Sequence, residues 1–193
     1  AGVSCAGGRG TLHVAGKIDK QNETNRAGAD SGTTPNTGNY PSVGQKTVII
    51  GDPEVQAEAV SANGEFAFSD AVTGYATVLA SNRDIDSYAF YRSKNHSGQS
   101  ALLAQFYPDG YVPVINQYSK DRTLLAGLKG ATAGGFTWDV SYNYGYNKLD
   151  YNTRNTINFD LGADSPTRFY DGALAYTQNV LNADFTQPLD WGL

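Results

Sequence analysis

Hydrophobic and polar positions alternate along much of the chain, and the longest such run lies between Phe136 and Asn147. Phe136, Trp138, Val140, Tyr142, Tyr144 and Tyr146 have one parity; Thr137, Asp139, Ser141, Asn143, Gly145 and Asn147 have the other. Successive side chains of a strand point to opposite faces, so this pattern predicts a strand with one aromatic-aliphatic face and one polar face. The run is twelve residues long, whereas a sandwich strand in a soluble protein has about 5–6 and a barrel strand needs about 9–11 to cross a bilayer.

Other segments follow the same rule. Leu12, Val14, Gly16 and Ile18 alternate with His13, Ala15, Lys17 and Asp19. A strand from Gly74 passes through Tyr75, Thr77 and Leu79 and continues past Arg83, Ile85 and Tyr88. Leu124, Ala126 and Leu128 alternate with Thr123, Gly127 and Lys129, with Leu125 out of pattern; Leu181, Ala183 and Phe185 alternate with Asn182, Asp184 and Thr186. The weakest strand covers Glu54 to Phe68, with a break expected at Asn63-Gly64.

The connections come in two lengths. Short turns fall near Ser69–Val72, Ala131–Gly135 and Gln187–Gly192, and long loops near Asn22–Pro53, His96–Asn116 and Asn155–Gly172. Short and long alternate, so an antiparallel meander places all the long loops at one end. That asymmetry is the mark of an outer-membrane barrel, and soluble domains seldom hold several structureless loops of this size. The expected fold is all-β: an up-and-down meander of about six long strands, a portion of a transmembrane barrel spanning 1–193, with hairpin units at about 8–68, 73–132 and 135–188.

Composition supports strands over helices: 22 Gly, 13 Tyr and no Met. Charged residues are 17% of the chain, below the usual quarter. The net charge of −5 argues against nucleic acid as a partner, because phosphate contacts need clustered Lys and Arg. No stretch approaches the ~20 apolar residues of a membrane helix, which leaves strands as the means of crossing. The sequence as read shows no signal-peptide pattern, so a mature, engineered or excerpted chain is expected.

Conventional catalytic and metal chemistry has little to stand on. Cys5 is the only cysteine, and His13 and His96 are the only histidines, some eighty residues apart. No HExxH, P-loop or GxSxG motif is present, and Gly7-Gly8-Arg9-Gly10 precedes a strand and reads as a turn. Asp84 and Asp86 share a face, and Asp139 can meet an acid of a neighbouring strand. Glycoside cleavage needs two carboxylates at a set separation, one with a raised pKa, and solvated acids of a lumen are the simpler reading. Asn22-Glu23-Thr24 and Asn95-His96-Ser97 match the glycosylation pattern at chance frequency. No enzyme activity, cofactor or metal is expected.

Candidate binding chemistry lies in the loops. Phe106-Tyr107-Pro108-Asp109-Gly110-Tyr111 joins a Pro-Asp-Gly turn to aromatic surfaces, set against the alternative of a loop that packs on itself. Tyr107, Asp109 and Tyr111, with Arg168, Tyr170 and Asp171 from the third loop, are the candidate ligand-binding residues. Flat amphipathic rings and charge-assisted hydrogen bonds suit a polar ligand; the competing account has Arg168 and Asp171 pairing with each other to stiffen the loop. Trp138, its neighbouring tyrosines and Trp191 are candidates for an interfacial aromatic girdle.

Five segments resemble the barrel domain of TonB-dependent outer-membrane receptors: Asn22-Glu23-Thr24-Asn25-Arg26-Ala27-Gly28, Gly51-Asp52-Pro53-Glu54-Val55, Tyr107-Pro108-Asp109-Gly110-Tyr111-Val112-Pro113, Trp138-Asp139-Val140-Ser141-Tyr142-Asn143-Tyr144-Gly145 and Ser165-Pro166-Thr167-Arg168-Phe169-Tyr170-Asp171-Gly172. Their weight lies in order and spacing over nearly the whole chain. The resemblance implies a 22-strand barrel in the outer membrane of a Gram-negative bacterium. It also implies contact with outer-membrane lipid and energised uptake of a siderophore, vitamin or oligosaccharide through the TonB complex. Plug, TonB box and C-terminal aromatic strand are missing, so the expectation is part of a longer receptor. The alternatives are a secreted β-rich binding or adhesive module and a self-assembling β structure with open edges.

Overall fold

Each alternating segment is a strand that pairs with the next one along the chain. The computed structural model describes residues 1–30, 44 and 46–189. Trp191, part of the expected turn at 187–192 and the middle of the first long loop lie outside the described residues. Seven antiparallel strands form one open sheet in sequence order: β1 (Gly2–Cys5), β2 (Gly10–Gln21), β3 (Glu54–Ala67), β4 (Val72–Tyr88), β5 (Val114–Ala131), β6 (Thr137–Arg154) and β7 (Arg168–Thr186). The six long strands are those the alternation predicts. β1 is an addition, a four-residue strand folded back on β2 through Ala6, Gly7 and Gly8, whose φ values of +52°, +67° and +92° make the turn.

Short turns join the strands at one end. Phe68 N–H donates to the Val72 carbonyl (3.0 Å), and Thr132 N–H to the Phe136 carbonyl (2.9 Å). Arg9 ties the β1–β2 turn to its neighbour by donating to the carbonyls of Ala67 (2.8 Å) and Phe68 (2.9 Å). At the other end the register row Gln21, Val55, Ile85, Gln117 and Tyr151 lies close to all three long connections, which therefore emerge together. Asn25, Thr24 and Arg26 carry the β2–β3 ladder beyond the sheet: Thr24 N–H donates to Asp52 O (3.1 Å) and Arg26 N–H to Ile50 O (2.8 Å).

Three expectations change. β3 runs unbroken through Asn63-Gly64; Gly64 sits where a Cβ would lie 2.6 Å from the Thr11 carbonyl oxygen, so it marks close strand approach. The second long loop is not structureless: it holds a two-turn helix, α1 (Ser100–Phe106), made of the good helix formers Ala, Leu and Gln. The third loop ends at Thr167, so Arg168, Tyr170 and Asp171 belong to β7. The Asp171-Gly172 pair, expected at the end of that loop, forms a β-bulge within β7: Tyr151 pairs with Gly172, Asn152 pairs with Tyr170, and Asp171 is the extra residue. Gly172 absorbs the irregularity at φ +119°.

Candidate functional site

The only fully packed apolar cluster among the described residues lies in the loops rather than on the sheet: Leu103, Tyr111 and Ile157, flanked by Leu102, Phe106, Tyr107 and Phe159. Apolar residues three and four apart on α1 fall on one side, and that side rests on the loop between β6 and β7. Arg92 and Tyr111 exchange backbone hydrogen bonds (2.7 and 2.8 Å), which closes the β4–β5 loop into a small hairpin. Beside that bridge the chain turns through Pro108-Asp109 into Gly110, φ +86°, and the Tyr91 hydroxyl donates to the Asp109 carbonyl (2.6 Å). Across to the next loop, Asn155 Nδ2 donates to the Val112 carbonyl (2.7 Å), the Tyr107 hydroxyl to the Thr156 carbonyl (3.4 Å), and the His96 ring lies 6.1 Å from that of Phe159. Two long loops thus form one cap over the end of β4–β7.

The six candidate residues divide between three places. Tyr107 and Tyr111 stack with ring centroids 4.3 Å apart; Tyr111 is buried in the cap and Tyr107 half-buried. Asp109 is exposed in the turn that follows α1. Tyr170 donates its hydroxyl to Asp150 (3.0 Å), on the face of β6 that carries Trp138, and Arg168 lies in register with Arg154 on that face. Asp171 accepts a hydrogen bond from Thr153 Oγ1 (2.6 Å) on the opposite face. Arg168 and Asp171 therefore do not pair: three residues apart on one strand, they point to opposite faces.

Burial shapes the titration of the cap. It raises the phenol pKa of Tyr111, and of Tyr107, where the neighbouring Tyr111 adds to the effect. Burial, reinforced by Arg92, holds His96 below its usual range.

The sheet has two faces of different chemistry, and one face changes character along its length. Following the register from Leu12 gives Gly64, Ala76, Ala126, Tyr142 and Leu181 on one face. Parallel rows add Val14, Val60, Val78, Leu124, Leu128 and Val140. Near the short turns Phe66, Phe68, Trp138 and Phe185 border this region, with Phe136 and Phe185 stacked 6.1 Å apart. Toward the long loops Tyr144 and Tyr146 border it. From Trp138 to Tyr146 is nine residues, a path of about 26 Å at ~3.3 Å rise per residue. Nothing among the described residues covers it: Val60 is 53% exposed, Leu181 75% and Phe185 63%. Beyond Tyr146 the same face turns charged, with Glu58, Asn82, Lys120 and Lys148 in one row and Asp84, Tyr118 and Asp150 in the next. Asn116 Nδ2 bridges Asp84 (2.5 Å) and Asp86 (2.9 Å), and Arg154 pairs with Asp86.

The opposite face is mainly polar beside the apolar band, with Leu79 and Leu125 set among its polar groups. The Tyr75 hydroxyl donates to Asp139 (2.5 Å), Lys129 pairs with Glu65 (2.7 Å), and Asp121 accepts from Asn147 (2.6 Å) and Ser119 (3.3 Å). The two-zone face was not anticipated; of the cap core, a loop packed on itself was weighed but not its contact with the next loop. Signals for both exist: Leu102, Leu103 and Phe106 share one side of a short helical run, and Tyr146→Lys148 and Ala80→Asn82 mark the same change in chemistry on neighbouring strands.

Compared with known protein families, with characterised proteins and with solved structures, the chain has no match.

Proposed function

We propose that this chain forms part of the wall of an outer-membrane receptor barrel of the TonB-dependent kind, for energised uptake of a siderophore, vitamin or glycan. The observation that carries the reading is the uncovered apolar band. Its nine residues match the ~9–11 that a tilted barrel strand needs to cross a bilayer, and it is edged by aromatics at both ends and continued by charged strand toward the long loops. A single sheet layer with no covering layer has no core in water; lipid supplies the missing layer. On this reading the polar face lines the lumen and the loop cap stands on the outside, where a ligand first meets the protein. Asp109, exposed in the turn after α1, and Asp171 on the lumen side are the candidate residues best placed to meet a polar ligand. Tyr107 and Tyr111 hold the cap in shape.

The test is uptake by cells that carry the intact protein, using a panel of labelled ferric siderophores, vitamins and oligosaccharides. One class accumulates, and collapse of the proton gradient stops it. Failure of every class to accumulate, with the protein present in the outer membrane, would sink the proposal.

A further inference from the structure

The lumen face also changes along its length, in the opposite sense to the outward one. Beside the apolar band it is mainly polar; toward the long loops it turns aromatic and aliphatic. Leu149 and Leu174 stand side by side in the β6–β7 register, with Tyr151 one row nearer the loops and Tyr176 one row nearer the turns. Leu174 is 68% exposed and Tyr176 62%. Apolar surface left in water costs about 25 cal/mol per Å², so a platform of this kind in an aqueous lumen needs an account.

Polar groups with spare hydrogen-bonding capacity flank it. Tyr176 shares its row with Asn147 and Asp121. The Asp121 carboxylate accepts from Asn147 Nδ2 (2.6 Å), Ser119 Oγ (3.3 Å) and Ser81 Oγ (3.4 Å), which fix its orientation. These donors are neutral, and no cation lies within ion-pair distance of Asp121 among the described residues. A carboxylate has about four acceptor sites, so Asp121 can still accept from a ligand. On the loop side Asp171, the extra residue of the bulge, accepts from Thr153 through one oxygen (2.6 Å) and leaves the other open. Arg83, exposed in the row of Leu149 and Leu174, has no hydrogen-bond or ion-pair partner among the described residues. Lys17 and Asp19, the remaining charged strand residues of this part of the face, pair with each other (3.1 Å).

We infer that this part of the lumen wall binds a neutral oligosaccharide. The inference rests on the receptor reading above and narrows its ligand. One unpaired cation stands against two carboxylates, so the strands give a polyanionic ferric chelate no net attraction. A sugar chain matches both halves of the surface. The C–H faces of its pyranose rings lie on Tyr176 and the two leucines, and its hydroxyls donate to Asp121 and Asp171 and accept from Arg83. From Arg83 on β4 to Tyr176 on β7 is three strand spacings, about 14 Å, longer than one pyranose, so the site takes several linked sugars.

The experiment presents the intact protein, in detergent micelles, to an array of immobilised oligosaccharides: neutral chains, sialylated chains and amino-sugar chains. The expected result is binding to neutral chains, weakened about tenfold by Tyr176→Ala, kept by Tyr176→Phe, and lost in the Asp121→Ala/Asp171→Ala double variant. No binding to any neutral chain, a preference for charged chains, or undiminished binding by Tyr176→Ala overturns the inference. The uptake assay above keeps the two levels of the argument apart. A siderophore or vitamin accumulated by cells, with no sugar bound on the array, removes this inference and leaves the receptor reading. Sugar bound on the array, with no class accumulated by cells, removes the receptor reading alone.

Discussion

Tyr107 and Tyr111 stack face to face, 4.3 Å between centroids, and the more buried of the two is the one in the β-bridge with Arg92. The stack joins the loop hairpin to the Leu103–Ile157 core, so the cap behaves as a small domain of its own, built on the end of the sheet.

Leu103 is wholly buried in that core. Replacing a buried Leu with Ala costs about 2–5 kcal/mol. The Leu103→Ala cost falls on the cap alone, because the sheet strands are held by their own ladders. Hydrogen exchange should quicken across 92–113 and 155–165 while β4, β5 and β6 keep their protection. Equal quickening in strands and cap would show that the two unfold as one unit.

His96 makes the cap sensitive to acid. Its folded pKa is depressed, by burial first and then by Arg92. The folded cap therefore binds fewer protons than the open one, and stability rises with pH through this window. The contribution is complete above the unfolded value of about 6.5 and is lost as pH falls through the lower folded value. Proteolysis of the β4–β5 loop should accelerate below about pH 6 in the wild type and lose that pH dependence in His96→Gln. A variant that follows the wild-type profile would remove His96 from the account.

Gly172 and Gly145 separate backbone demand from packing. At φ +119° Gly172 holds a conformation that L side chains rarely adopt, though a Cβ there meets nothing within 4 Å. Gly172→Ala should therefore destabilise the β6–β7 pair by about 1–3 kcal/mol through strain alone. Gly145 has an ordinary φ, and its nearest neighbour to an added Cβ is Gln178 at 3.9 Å. Gly145→Ala should be neutral or slightly stabilising. Thermal unfolding of the intact protein, followed by circular dichroism, compares the two. Equal effects would contradict the bulge assignment.

The strands were legible because each carries its period-2 pattern locally, most plainly from Trp138 to Tyr146, and the alternation of short and long connections fixes the meander. What escaped depended on contacts between distant segments. Leu103 and Ile157 meet only because two loops emerge at the same end, and neither loop alone announces a core. Asp171-Gly172 has turn chemistry, yet the ladder with β6 continues past it, since one residue can be expelled as a bulge while the hydrogen bonds resume. Tyr111 was read as a ligand contact from its loop position, and its partners in the next loop draw it inward. The Asp121–Asn147–Tyr176 row needs the β5–β6 and β6–β7 registers, which no single strand specifies.

The central claim is that the face carrying Val78, Leu128 and Val140 meets lipid. Nitroxide labels placed singly on a Cys5→Ser background, in the intact protein reconstituted in bilayers, test it by comparing collisions with oxygen, which concentrates in lipid, and with a water-soluble nickel chelate. Labels at Val78, Leu128 and Val140 should favour oxygen. Labels at Ser141 and Asn143, on the polar face, and at Asn82, beyond the band, should favour nickel. Labels at Val78 and Leu128 that meet nickel as readily as Asn82 does, or that neither reagent reaches because a second protein layer covers them, would contradict the account.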